Sequence, residues 1–404
     1  MAASPARMHD IVCVGDVHEG IAFGYRVDPE TGVSERALDL HRNFARAAQF
    51  AIEQKAKLFC VLGDLFDRPH VAPVFREMVR RDVIEPLGKA GIEVLLLGGN
   101  HDLPRADAKA TSLDDFRGYP HVTVVKKPEA FVREIGGKRV GLIALPYVHP
   151  EQILDLVREH RGEDFPREQM GAVAREILKG WIANRARELE TDFLVLLGHF
   201  WVTRAQVHSQ THVEIVPHDF EFDLGMLPPA VDLAVFGHVH FHQAIDDRVV
   251  YTGAPERIDW GERGDPKGFL TLDVERKTWS FSELPAREML LIEVDVTREA
   301  DPTAAILAAL PASVKDALVR LRITANEGQR LSVDEARLTA RLDEAFHREI
   351  FWNPPEREVI RGGEEFFLDP LGLFESFVAA NLREHPHRDA IAKEGTAILK
   401  EVLG

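Results

Sequence analysis

The chain has 404 residues, more than one ordinary core accommodates, so two or three domains are expected. Hydrophobic residues at 45% and charged residues at 28% suit a soluble globular enzyme. A net charge of −17 argues against binding nucleic acid by bulk attraction alone, although metal ions or a partner subunit can supply positive charge locally.

No apolar run approaches the ~20 residues of a membrane helix, and residues 1–10 carry no signal-peptide core. A cytoplasmic protein with no membrane partner is expected. Cys13 and Cys60 each sit inside an apolar run, which reads as two buried free thiols rather than a disulfide framework.

In chain order, Ile11–Val14, Leu58–Leu62, Val94–Leu97, Val140–Leu145, Phe193–Leu197 and Leu233–Phe236 are short and almost wholly apolar. Such runs predict strands buried on both faces of a sheet. Amphipathic stretches lie between them. Ser34 to Lys55 sets Leu38, His41, Ala45, Ala48 and Ile52 along one helical face, and Arg167 to Glu190 also reads as helix. The alternation predicts an α/β sandwich with layered sheets and outer helices.

The character changes after Pro285. Met289–Val296, Ala317–Thr324 and Arg348–Trp352 predict strands, and Pro302–Leu310 and Ser332–Phe346 predict helices. These would form a small α/β domain. Turn signals at Asn353-Pro354-Pro355 and Arg361-Gly362-Gly363 precede a helical segment from Pro370 to Leu403, whose apolar faces suit either a core or a docked partner. The expected division is 1–284, 285–355 and 356–404.

Five polar clusters each follow a strand-like run. They are Gly15-Asp16-Val17-His18, Gly63-Asp64-Leu65-Phe66-Asp67, Gly99-Asn100-His101-Asp102, Gly198-His199 and Gly237-His238-Val239-His240. Glycine lets the backbone turn sharply and approach a bound ion. Carboxyl ends of strands are where open α/β sheets place ligands, so five loops at one edge would assemble one site.

The residue types suit two divalent ions about 3.5–4 Å apart. Asp64 is the natural bridge. Asp16, His18 and His240 would complete one sphere, and Asn100, His199 and His238 the other. Mixed imidazole and oxygen donors favour manganese, iron or zinc over calcium. Two anionic ligands against four positive charges would attract a phosphate and acidify a bridging water. His101 is free to act as general acid, with Asp102 orienting its ring. Asp67 and Arg68 read equally as supporting groups or as caps. His208, His212, His218 and His242 read as loop or surface residues.

This ordered set resembles the calcineurin-like metallophosphoesterase superfamily over residues 10 to 242. Beyond it, Tyr251-Thr252-Gly253-Ala254-Pro255-Glu256-Arg257-Ile258-Asp259-Trp260-Gly261-Glu262, then Lys267-Gly268-Phe269, resembles the segment after the last metal motif in SbcD-type DNA repair nucleases. Leu145-Pro146-Tyr147 is similar to another signature of that family. The stretch from Glu19 to Glu35 departs from the family, being richer in charge and glycine.

The resemblance implies a four-layer αββα sandwich with a small C-terminal α/β capping domain and terminal helices. It implies Asp16, His18, Asp64, Asn100, His199, His238 and His240 as metal ligands, His101 as the catalytic histidine, and two Mn2+ ions. It further implies a homodimeric DNA exonuclease and endonuclease whose terminal helices bind a coiled-coil ABC ATPase of the SbcC type. Another phosphatase or small-molecule phosphodiesterase of the superfamily is the alternative, and a metal-stabilised scaffold without activity is a third.

Overall fold

The computed structural model describes residues 9–104, 110–149, 152, 170–206, 220–355, 369–383 and 385–403. His208, His212, His218, the Arg361-Gly362-Gly363 turn and residues 167–169 of the expected helix lie outside the described residues.

The first strands are β1 (Ile11–Val14), β2 (Leu58–Leu62), β3 (Glu93–Leu97), β4 (Val122–Val125), β5 (Glu129–Ile135) and β6 (Lys138–Leu145). Next come β7 (Phe193–His199), β8 (Trp201–Val202), β9 (Glu221–Phe222), β10 (Leu233–Gly237), β11 (Gln243–Ala244) and β12 (Val249–Tyr251). The last are β13 (Gly268–Asp273), β14 (Thr278–Glu283), β15 (Met289–Asp295), β16 (Leu318–Thr324) and β17 (His347–Asn353). All six expected central strands form, within two residues of their predicted bounds.

Two mixed six-stranded sheets result, ordered β14-β13-β1-β2-β3-β4 and β11-β12-β10-β7-β6-β5. Strands β1 to β4 run parallel, and β13 joins β1 antiparallel. In the second sheet β6, β7, β10 and β12 run parallel, with β5 and β11 antiparallel at its edges.

The period of two explains how wholly apolar strands serve two layers at once. From β1, Ile11 and Cys13 face the other sheet and meet Cys60, Leu62, Leu142, Val195 and Val235. Val12 and Val14 face outward and pack with Phe59, Val61 and the helix Glu35–Glu53. That helix buries Phe44, Ala47, Ala48 and Ala51 at the centre of its arc, with the expected Ala45 and Ile52 at the margin. On the far side, Ala174, Ile182 and Ala186 of the helix Met170–Glu188 cover Ile143, Leu194 and Ala234. The layers are therefore helix, sheet, sheet, helix. Each large side chain so buried contributes roughly 1.5–3 kcal/mol of transfer free energy. Cys13 and Cys60 are register partners on β1 and β2, both free and buried.

The chain divides into two compact units. One comprises Met1–Ile292, Leu310–Leu321 and Thr339–Glu349, the other Glu293–Ala309, Arg322–Leu338 and Ile350–Gly404. A small sheet in the order β15-β16-β17 follows the two large ones.

Glu327–Ser332 and Glu335–Arg341 are separate helices, and only the second falls within the helix expected over Ser332–Phe346. Asn326 and Gln329 form a capping box that starts the first, and Val333 turns to extended backbone and ends it. Asp334 then accepts from the Arg337 amide and restarts the second. The terminal segment forms the expected pair of helices, Pro370–Asn381 and Arg388–Leu403. Among the described residues no helix is long and apolar enough to cross a membrane.

Candidate metal centre

The loops after β1, β2, β3, β7 and β10 converge where the carboxyl ends of both sheets meet. Backbone bonds tie the first two loops together, with Asp16 N–H to Gly63 O at 3.1 Å and His18 N–H to Asp64 O at 2.9 Å. Side chains tie the others. Asp64 Oδ1 accepts the His101 amide at 2.8 Å, and Asp16 accepts the His238 amide at 2.9 Å.

Glycine contributes as expected at Gly63, where φ is +89°, and in a second way. Gly63, Gly99 and Gly237 make room for side chains and backbone of neighbouring loops. An added Cβ would lie 2.0 Å from His199 Nδ1 at Gly63, 2.1 Å from Asp64 Oδ1 at Gly99 and 2.2 Å from Leu62 O at Gly237. Left-handed backbone also falls on the polar residues themselves: φ is +54° at Asp16 and His18, +51° at Asp64 and +91° at His238. Such conformations cost about 1–3 kcal/mol each for residues with a Cβ and cluster at functional sites.

The structure brings all seven expected ligands together. Asp16, His18 and His240 offer ligand atoms within 4.8 Å of one another, as do Asp16, Asp64 and His199. Asn100 Oδ1 lies 2.9 Å from His199 Nε2 and 3.1 Å from His238 Nδ1. Asp64 Oδ2 sits between the groups, 3.2 Å from His199 Nε2 and 3.9 Å from His18 Nε2. A bridging place for Asp64 fits that position.

The donor set also fits divalent cations on energetic grounds. Asp16 and Asp64 are buried, and among the described residues neither has a lysine or arginine partner. Buried carboxylates without such partners call for another cation. The Nε2 atoms of His18 and His240 face each other at 3.1 Å, a hydrogen bond when one of them carries the hydrogen and a meeting of two lone pairs when neither does.

Charge is distributed unevenly across the cluster. Burial opposes ionisation of Asp64, but His199 and its neighbours hold the carboxyl well below the usual range. Burial likewise opposes protonation of His199, and the Asp64 carboxylate overrides it, raising the imidazole to about 9. Burial and the charge of His199 push His238 down to about 3. Asp16 is raised, burial outweighing the pull of the surrounding histidines.

Asp102 does not orient His101, contrary to expectation. Its carboxylate accepts the amides of Leu65, Phe66 and Gly99 at 3.2, 2.9 and 3.0 Å and so braces the loops of β2 and β3. Burial and the Asp64 charge push it up to about 7, against the pull of the Phe66 and Gly99 amides. The His101 ring is held instead by the Asp67 carbonyl, 2.9 Å from Nδ1. Burial resists its protonation, but Asp64 and that carbonyl leave the imidazole raised.

Asp67 thus supports the site rather than capping a turn. Its carboxylate also lies 3.5 Å from His18 Nδ1. His242 lies in the loop before β11, as expected, with its ring stacked on Phe281 at 4.0 Å between centroids. Tyr147, from the Leu-Pro-Tyr signature, packs against His238 and His199. Glu262 and Lys267 stand beside His240, with Glu262 Oε1 2.8 Å from its Nδ1. Sequence reasoning assigned them no role, although both belong to the segment that carries the nuclease resemblance.

A fold of two mixed sheets flanked by helices, with this cluster at the strand ends, defines a metallophosphoesterase with a candidate dimetal site. The calcineurin-like phosphoesterase profile matches residues 9–242, and the chain belongs to that family. Two archaeal proteins named DNA double-strand break repair protein Mre11 are distant homologues. The one from Aeropyrum pernix is 24% identical over 300 residues, covering 72% of this chain and 64% of its own. The one from Archaeoglobus fulgidus is 24% identical over 285 residues, covering 64% and 57%. The chain therefore spans a little under two thirds of the length of these relatives. A solved dimetal phosphatase from Danio rerio aligns at 11% identity with a TM-score of 0.35, over 66% of this chain and 92% of that one.

Proposed function

We propose that this protein is a metal-dependent nuclease that hydrolyses DNA phosphodiester bonds in double-strand break repair. The observation that carries the reading is the similarity to Mre11 outside the segment common to the family. An alignment over 72% of the chain includes Gly253–Phe269 wherever it begins, beyond the family match that ends at residue 242.

In this reading Asp16, His18, Asp64 and His240 hold one divalent ion, and Asp64, Asn100, His199 and His238 hold the other. Manganese is the expected metal for such mixed donors. When bound, two such ions neutralise a phosphodiester's charge and acidify water. The chain's own residues do the rest. His101 commits Nδ1 to the Asp67 carbonyl. Its Nε2 is then the atom that carries a proton to the leaving oxygen. Asp102 keeps the loops of β2 and β3 in register, so that Asp64 and His101 stay in reach of one phosphate.

We assign residues 1–284 to the nuclease, 285–355 to a capping domain and 356–404 to a partner-binding segment. Phe377, Ile391, Ile398 and Val402 are exposed on the terminal helices, which supports docking of a coiled-coil ATPase of the SbcC type there. A homodimer in the cytoplasm completes the proposal; the two unpaired thiols fit a reducing compartment.

The test is hydrolysis by the manganese-loaded full chain of linear duplex DNA, bis-p-nitrophenyl phosphate and p-nitrophenyl phosphate. Cleavage of DNA and the diester supports the nuclease. Activity confined to the monoester identifies a phosphatase instead. Two bound ions with no hydrolysis of any substrate identify a scaffold.

A further inference from the structure

We propose that Glu262 and Lys267 are positioning residues that make the Asp16–His18–His240 half of the centre the tighter metal site, so that the two ions bind in a fixed order. The inference rests on the two-metal reading above but is independent of the substrate.

The argument begins with how each histidine is held. His199 donates through Nδ1 to a neutral carbonyl, Leu62 O, at 2.7 Å. His238 directs Nδ1 into the cluster, 3.1 Å from the Asn100 amide oxygen, and among the described residues no carboxylate lies behind its ring. His240 differs from both. Its Nδ1 lies 2.8 Å from Glu262 Oε1, a carboxylate with no solvent exposure. That bond fixes the hydrogen on Nδ1 and leaves the Nε2 lone pair facing His18, inside the cluster with Asp16. A carboxylate behind an imidazole makes the far nitrogen a stronger donor than a carbonyl does.

Lys267 makes the arrangement stable. It too has no exposure, and its Nζ lies 2.7 Å from Glu262 Oε2. The same Nζ donates to the His240 carbonyl at 3.0 Å. The ring, the carboxylate, the ammonium and the carbonyl therefore close a loop through His240. Lys267 occupies the second oxygen of Glu262, which also accepts the Ile258 amide at 3.1 Å. Glu262 is thereby kept behind the histidine and away from an ion. Asp265 Oδ2, 3.9 Å from Nζ, adds a second countercharge.

A buried ion pair is a poor way to gain stability, because well-packed apolar residues of similar volume usually do as well or better. Its presence directly behind His240, and among the described residues behind neither His199 nor His238, points to the ligand as the reason. It also gives the Gly261-Glu262 and Lys267-Gly268-Phe269 motif a physical role.

The test uses neutral pairs of similar volume, since removing one charge alone leaves the other buried and unpaired. Mn2+ binding to the metal-free full chain is followed by calorimetry and by the EPR signal of bound Mn2+, for the native protein, E262Q/K267M and E262M/K267M. Thermal melting without metal serves as the folding control. The native chain should titrate in two steps. E262M/K267M should weaken the tighter step about 10–100-fold and leave the weaker step unchanged, the range seen when such supporting groups are lost. E262Q/K267M, which keeps an acceptor for Nδ1, should recover part of that loss. Two unaltered steps in both variants would overturn the proposal, as would equal weakening of both steps. A native protein that binds no divalent ion would instead refute the metallophosphoesterase site itself.

Discussion

Gly63 offers the sharpest test of how the centre is packed. In Gly63→Ala the new Cβ would stand 2.0 Å from His199 Nδ1 and 2.5 Å from its Cγ, at a residue whose φ is +89°. Left-handed backbone adds about 1–2 kcal/mol once a Cβ is present. Pushing the fully buried His199 ring aside adds about 1–3 kcal/mol of overpacking. Breaking its 2.7 Å bond to the Leu62 carbonyl adds roughly another 1 kcal/mol. The expected loss is therefore about 3–6 kcal/mol, a large share of an ordinary domain's stability. Gly91→Ala is the control, since φ there is +73° and nothing lies within 4 Å of the added Cβ. It should cost only the backbone part, about 1–2 kcal/mol. Urea unfolding of both metal-free variants measures the difference, and calorimetric titration with Mn2+ should show the His199 site weakened in Gly63→Ala alone. Equal unfolding midpoints for the two variants would refute the packing argument.

Four further outcomes are expected. His101→Ala should abolish turnover yet keep both ions, as counted by metal analysis of the dialysed protein; loss of an ion would make His101 a ligand. Metal affinity should rise with pH. His199 is raised to about 9 in the metal-free protein, so an ion must displace its proton at neutral pH and meets no such competition above that value. Calorimetry in buffers of different ionisation enthalpy should detect the released proton near pH 7. Cys60, whose thiol burial pushes well up, should resist iodoacetamide in the native chain and label only after denaturation. Deleting residues 370–404 should leave metal binding intact and abolish copurification with a coiled-coil ATPase; a surviving complex would move the docking site elsewhere.

The central strands were legible because they are buried on both faces, which leaves runs such as Leu58–Leu62 without polar interruption. Strands at or near the edges were not. Thr278–Glu283 has the alternation of a half-buried strand and Glu129–Ile135 carries charges at Glu129, Arg133 and Glu134, so neither forms the wholly apolar run that marks the central strands. The helix expected over Ser332–Phe346 is shorter, Glu335–Arg341, because it starts only at the Asp334 cap. The residues that gather at the centre were legible from five glycine-led clusters. What placed the groups was not. Left-handed backbone at Asp16, His18, Asp64 and His238 leaves no trace in residue identity beyond the tolerance of Asp and His for it. The Asp67 carbonyl that holds His101 is a backbone atom, invisible to any motif. The partnership of His240 with Glu262 and Lys267 depends on a crossing from one sheet to the other.

That crossing bears on where the catalytic fold can be cut. The chain leaves β12 of one sheet and enters β13, which lies against β1 in the other. Residues 9–242, the segment common to the family, stop before β11. Cut there, β1 would lose its partner Leu270–Leu272 and bare the backbone of the wholly buried Ile11–Val14, while β10 would bare the side that pairs with Val249–Tyr251. Each sheet would then present an unpaired apolar rim of the kind that templates aggregation. A form of this fold that keeps both large sheets whole therefore extends at least through β14 to Glu283.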